Sequence, residues 1–329
     1  MVDLGKLQRL DPRTVWKHEA LDFTPWLAAH IEELGEVLGL DLELQETEAG
    51  VGDFSADIIG KDVGRDRLVV IENQLGATDH SHLGQLVTYA AGREAKVIVW
   101  VAREFREEHR QALDWLNRSS AEGTEYFGVV IELWQVDNSK PALNLKLVAA
   151  PNNWSRSSRT TKGPGTGVSE KGVAYQRFFQ ALLDELREKH QFTNAKMGQA
   201  QSWYAFTSGV TGFKYSASFA NKDRLRTELY IDTGDADANE RALQYLQKSQ
   251  AEIEKEFGET LSWEDLQDKR ACRVACYQPG TIEDSDEALE KYRAWVVERL
   301  LRLKKVFGPR LQGAANVAIP TAAASTNGG

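Results

Sequence analysis

A chain of 329 residues with 42% hydrophobic and 27% charged side chains is long enough for two domains with separate cores and has an ordinary globular composition. Its net charge of −9 argues against holding polyanions over the whole surface. No apolar run reaches the roughly 20 residues that span a bilayer, the amino-terminal stretch lacks the apolar centre of a secretory signal, and two cysteines (Cys272 and Cys276) are too few for a disulfide framework, so a cytoplasmic setting without membrane contact is expected.

In chain order, FTPWLAAHIEELGEVLG (23–39) has helical apolar spacing, with Thr24 as the expected N-cap ahead of Pro25. LDLELQETEA (40–49), DFSADIIGKD (53–62) and RLVVIENQL (67–75) read as strands, the third apolar enough for a central position. SHLGQLVTYAAG (81–92) is a helix, AKVIVWVA (95–102) a buried strand, EFREEHRQALDWLNRSS (104–120) a helix and YFGVVIELWQVD (126–137) a strand. Residues 151–172, rich in Ser, Thr, Gly, Pro and Asn, read as a linker between a domain at 1–150 and one at 173–312, and residues 313–329 as a disordered tail.

The C-terminal half repeats the pattern loosely, helix, three strands, long helix, strand, helix, which raises the expectation that it is a diverged copy of the first half. Trp203, Tyr204, Phe206, Phe213, Tyr215 and Phe219 read as sheet core. Between residues 151 and 231, twelve Lys or Arg face six acids, so a nucleic-acid surface is expected there, with Lys222, Arg224 and Arg226 as contacts.

The chemistry concentrates between residues 52 and 90. Residues two apart on a strand point the same way, so Glu72 and Gln74 share a face while Asn73 faces opposite. Asp57 lies on the preceding strand, and an antiparallel hairpin would bring its carboxylate to Glu72. Two carboxylates in one small site repel, and Mg²⁺ (or Mn²⁺) relieves that repulsion while activating a water for attack on a phosphodiester. Gln74 would orient the water or phosphate; Gln85 and Tyr89 sit one turn apart on the next helix; Asp79 or Ser81 would cap that helix, leaving His80 and His82 to contact a partner or phosphate.

Asp57 followed by Glu72-Asn73-Gln74, on the second and third strands of an α-β-β-β-α-β order, resembles the PD-(D/E)XK nuclease superfamily. Gln85-Leu86-Val87-Thr88-Tyr89 resembles the QxxxY element of its RecB-like branch. The whole chain, through DFTPWL, ENQLGATDHSHLGQLVTYAAG, SWYAFTSG and RTELYID, also resembles bacterial proteins that join such a half to a C-terminal domain of unknown function. The resemblance implies an α/β fold with a restriction-endonuclease-like core plus a second mixed α/β domain for recognition or dimerisation. It further implies a metal-dependent DNA nuclease of defence, restriction or repair, with Asp57 and Glu72 as ligands and Glu19 or Glu48 as a further acid. Gln74 stands where the motif has lysine, and Ala56 where it has proline. The alternatives are a noncatalytic module of the same fold that binds nucleic acid or a protein, and an assembly subunit whose C-terminal half pairs two chains.

Overall fold

The computed structural model describes residues 4–51, 54–121, 123–151, 169–266 and 269–318. The chain divides into two compact units, Met1–Lys162 and Gly163–Gly329, and the linker expectation falls largely on residues 152–168, outside the described ones. Among the described residues no helix is long and apolar enough to cross a membrane.

The first unit is a mixed α/β layer structure. Its elements are β1 (Leu7–Leu10), α1 (Thr24–Ala29), α2 (Ile31–Leu38), β2 (Leu42–Val51), β3 (Phe54–Asp62), β4 (Arg67–Ala77), α3 (His80–Gly92), β5 (Val97–Glu104), α4 (Glu107–Ser119), β6 (Glu125–Val136) and β7 (Ala142–Ala149). The sheet runs β1-β6-β5-β4-β3-β2, with β7 also on β6. β4, β5 and β6 are parallel because α3 and α4 cross over between them; the remaining pairs are antiparallel. The β5 run Val97–Ala102 is fully buried, as expected of a strand covered on both faces. Leu27, Ile31 and Leu34 of α1 and α2 pack on one face, and Leu86, Tyr89 and Leu113 of α3 and α4 on the other.

Two local expectations change. The helix at 23–39 is broken at His30, which leaves helical geometry (φ −119°, ψ 31°) between α1 and α2. Thr24 does not cap α1: a π-helical turn over Glu19–Phe23 already leads into it, and the Thr24 hydroxyl donates instead to Asn73 Oδ1 at 3.2 Å. β1 and β7 were not anticipated, although β7 carries the two-residue burial alternation of a one-sided strand.

The second unit comprises α5 (Glu170–His190), β8 (Trp203–Thr207), β9 (Phe213–Ala220), β10 (Arg224–Ile231), α6 (Ala236–Gln247), α7 (Gln250–Phe257), β11 (Ser262–Asp265), β12 (Cys272–Pro279) and α8 (Asp286–Ala318). Its sheet, β11-β12-β10-β9-β8, is antiparallel throughout. A copy of the first half required a mixed sheet and a single strand between the later helices; this sheet is antiparallel and has both β11 and β12 there, so the second half is not a copy of the first. Cys272 and Cys276 are free, buried in the core, and their thiols are pushed up to about 11 by burial.

Residues 313–318, expected in a disordered tail, form the last turns of α8, while 319–329 lie outside the described residues. Small residues there serve close packing: Ala314 and Ala318 are buried, and Arg241 Nη2 donates to the Ala318 carbonyl at 2.9 Å. A Cβ on Gly313 would lie 2.8 Å from Tyr245 Cζ, inside van der Waals contact. Gly313→Val is therefore expected to destabilise the protein by about 1–3 kcal/mol through overpacking, read as a lower denaturant midpoint; an unchanged midpoint would show that α8 does not need this approach.

Candidate active site

β3 and β4 are paired from Asp62↔Arg67 to Ile58↔Ile71 and then separate. Asp57 stands at the point of separation. Its Oδ2 accepts the Asn73 backbone N–H at 2.8 Å and the Asn73 side-chain amide at 2.9 Å. The carboxylate thus does for Asn73 what a β3 carbonyl does further down the ladder. Glu19, from the π-helical turn, ties the next stretch of β4 by accepting the Leu75 N–H at Oε2, 2.6 Å away.

Glu72 faces α3 between these anchors. Only 3% of it is exposed, and its Oε1 is buried with no hydrogen-bond partner. Burial pushes the Glu72 carboxyl up to about 9, with the Asp57 charge adding to the rise and an Asp57 backbone hydrogen bond opposing it. Burial likewise raises Asp57 to about 6, opposed by the Asn73 hydrogen bond and reinforced by Glu48 and Glu19. Both further acids act on both carboxylates: Glu19 from the β4 backbone, and Glu48 from an exposed position on β2 at a left-handed φ of 50°. Tyr89 is buried on α3, hydrogen-bonded to Gln85, and its hydroxyl is raised by burial and then by Glu72 and Asp57. The structure therefore gathers Asp57, Glu72, Glu19, Glu48, Gln85 and Tyr89.

Gln74 shares the Glu72 face, but its amide is engaged elsewhere. Oε1 accepts Trp100 Nε1–H at 2.8 Å, and Nε2 donates to the Ala77 carbonyl at 2.9 Å and Asp79 Oδ2 at 3.2 Å. Both amide protons are thereby spent within the fold, and the oxygen, already accepting from Trp100, is the atom left with a free lone pair. Asp79 caps α3 by accepting the His82 N–H at 2.9 Å and holds the His82 ring at Nδ1, 2.9 Å away. His82 is near enough to lower Asp57 electrostatically. His80 turns away to a buried partner, His109 of α4, its Nδ1 lying 3.0 Å from His109 Nε2. Thr78 Oγ1 accepts the Arg106 N–H at 3.0 Å, which leaves its own proton for His109 Nδ1 at 2.8 Å.

Sequence reasoning did not single out Asn73, Thr78, Trp100 or His109. Asn73 was set aside because it faces away from Glu72 by strand parity, whereas the parting of the strands brings its amide to Asp57. In the second unit Lys222 is an exposed turn residue with left-handed φ of 65°, Arg224 lies 4.5 Å over the Tyr277 ring, and Arg226 pairs with buried Glu228 at 3.0 Å. Arg226 is thus committed to an internal charge and not a freely exposed cation. Among the described residues no group of three or more His, Cys, Asp or Glu is assembled to hold a metal.

Residues 174–311 match the family described as a domain of unknown function (DUF4268). No curated protein matches the chain. Among solved structures, the crystal structure of a repair endonuclease from Pyrococcus abyssi is similar over 27% of this chain, at 19% identity and a TM-score of 0.25. The matched part spans 41% of that endonuclease chain.

Carboxyls raised in the folded state bind protons more tightly there than in the unfolded chain, so they favour folding at low pH and lose that contribution as pH rises. For Asp57 the loss runs from about 4 to about 6, and for Glu72 it continues towards about 9. In EDTA, the melting temperature should fall between pH 5 and pH 9, and Glu72→Gln should flatten that fall. An equal fall in the variant would show that Glu72 is not the strained acid.

Proposed function

We propose that the first unit is a metal-dependent nuclease that hydrolyses DNA phosphodiester bonds. The observation that carries this reading is the partnerless, buried Glu72 Oε1 beside Asp57, two acids that cannot both ionise comfortably without a cation. The resemblance to PD-(D/E)XK nucleases supports it, since Asp57 and Glu72 occupy the motif's two acidic positions.

A two-carboxylate donor set suits Mg²⁺ or Mn²⁺, which keep several waters and take further ligands from substrate phosphate. Asp57 and Glu72 would hold such an ion, and the chemistry it would supply there is an activated water at neutral pH and charge neutralisation at the leaving oxygen. The chain's own contributions are positional. Asn73 fixes Asp57 Oδ2 with two hydrogen bonds, so its Oδ1 is the oxygen left to face the substrate. Tyr89, held by Gln85, places a hydroxyl donor beside both acids. Glu19 and Glu48 add negative charge that favours cation capture over an empty acidic pair.

One observation favours the second reading, a noncatalytic module that binds nucleic acid or a protein: the Gln74 amide, at the motif's lysine position, spends both of its donors on Ala77 and Asp79 while its oxygen accepts from Trp100. Incubation with circular single- and double-stranded DNA in Mg²⁺, Mn²⁺ or EDTA decides between them. A nuclease nicks with the ion, gains thermal stability from it, and loses cleavage by about 10²-fold or more in Asp57→Ala and Glu72→Ala. A protein that cuts nothing and is not stabilised by either ion is the noncatalytic module.

A further inference from the structure

The C-terminal sheet has two faces, and the helices occupy one. The buried apolar residues of α5, α6, α7 and α8 all join Leu225 and Leu229 of β10, Phe213 and Tyr215 of β9 and Val274 of β12 in a single core. By the two-residue period, Arg224, Arg226, Glu228 and Tyr230 of β10 turn to the opposite face. Cross-strand register there forms a row, Trp203–Ser218–Arg226–Tyr277, running across β8, β9, β10 and β12. Trp203 was expected in the core with Tyr204 and Phe206; its neighbours are there, and it is not.

Glu228 organises this face. Its buried carboxylate accepts the Ser216 hydroxyl at 2.6 Å and Arg273 Nη1 at 3.1 Å, and pairs with Arg226 at 3.0 Å, so one acid anchors two guanidiniums. Tyr277 is fixed by its hydroxyl, which donates to Glu264 at 2.7 Å, and carries Arg224 over its ring. Between Trp203 and Arg226, Ser218 is 4% exposed and its Oγ has no partner. The Trp203 and Tyr277 rings therefore stand three strand spacings apart, about 14 Å. On the same face Arg226 is paired with Glu228 and Arg273 with both Glu228 and Glu264, so Arg224 is the exposed guanidinium there.

We infer that this face binds single-stranded DNA, with one base stacked on Trp203 and another on the Arg224–Tyr277 pair, whose exposed guanidinium also draws the phosphate backbone. Rings take up bases whose faces are free, and duplex stacking hides those faces, which is why the occupant is a single strand. Substrate identity here rests on the nuclease reading, which the face deepens to a single-strand preference.

The test is fluorescence anisotropy with full-length protein in EDTA, where binding is read without cleavage, using labelled oligodeoxythymidine and its duplex with oligodeoxyadenosine at matched salt. Expected is single-strand binding at least about tenfold tighter than duplex binding, weakened about tenfold by Trp203→Leu or Tyr277→Leu. Arg224→Glu should weaken it comparably and flatten the salt dependence. Arg224 is exposed, so its reversal keeps the core intact and decides the matter if the aromatic variants fail to fold. Equal or tighter duplex binding, or single-strand binding indifferent to Arg224→Glu, overturns the proposal. Cleavage without such binding overturns it while leaving the nuclease reading standing; absence of both cleavage and binding removes the two together.

Discussion

The hydrogen bonds from Asn73 to the Asp57 carboxylate are the contact on which the candidate site depends. Two antiparallel strands that part inside a fold leave backbone donors exposed in the interior, and a buried orphan donor is costly. Asp57 meets the first of them and Glu19 meets the one at Leu75, so β4 can leave β3 without losing its hydrogen bonds. Thr24 secures the other side of Asn73. The parting then holds two carboxylates in a place where neither would settle alone.

That arrangement runs against stability. Desolvation raises both acids, and their mutual repulsion adds to it at Glu72. Side chains that oppose folding in this way persist where they are used, which gives the Asp57–Glu72 pair its functional interest. Around them the structure is heavily braced: Trp100 holds Gln74, Gln74 and His82 share Asp79, and Thr78 joins His109 and the start of α4. The bracing forms two polar groups, one joining β5, β4 and the start of α3 and the other joining Thr78, α3 and α4, which meet where the Trp100 and His109 rings touch. It also explains why an amide can stand at this position without being a spare group: it closes a network that an ammonium could not, since a lysine has no acceptor for Trp100.

The second unit solves a different packing problem. Four helices on one face of an antiparallel sheet leave the other face to be finished by side chains alone, and here Glu228, Arg226 and Arg273 do so with charge rather than with apolar cover. A buried carboxylate shared by two guanidiniums is stable only while all three are present, which ties that face into a fixed polar surface.

Much of the first unit was legible in its sequence, because strand and helix periods are local properties. The apolar runs of β4 and β5, the alternation that puts Glu72 and Gln74 together, and the one-turn spacing of Gln85 and Tyr89 follow from covalent geometry, and the mixed sheet follows from helices inserted between successive strands. What the tertiary structure alone decided are long-range matters: that β1 joins β6, that β10 pairs with β12, that Gly313 packs against Tyr245, that Gln74 is spent on Trp100, and that His80 meets His109. Each joins residues far apart in the chain. Local periodicity says which way a side chain points and not what waits there.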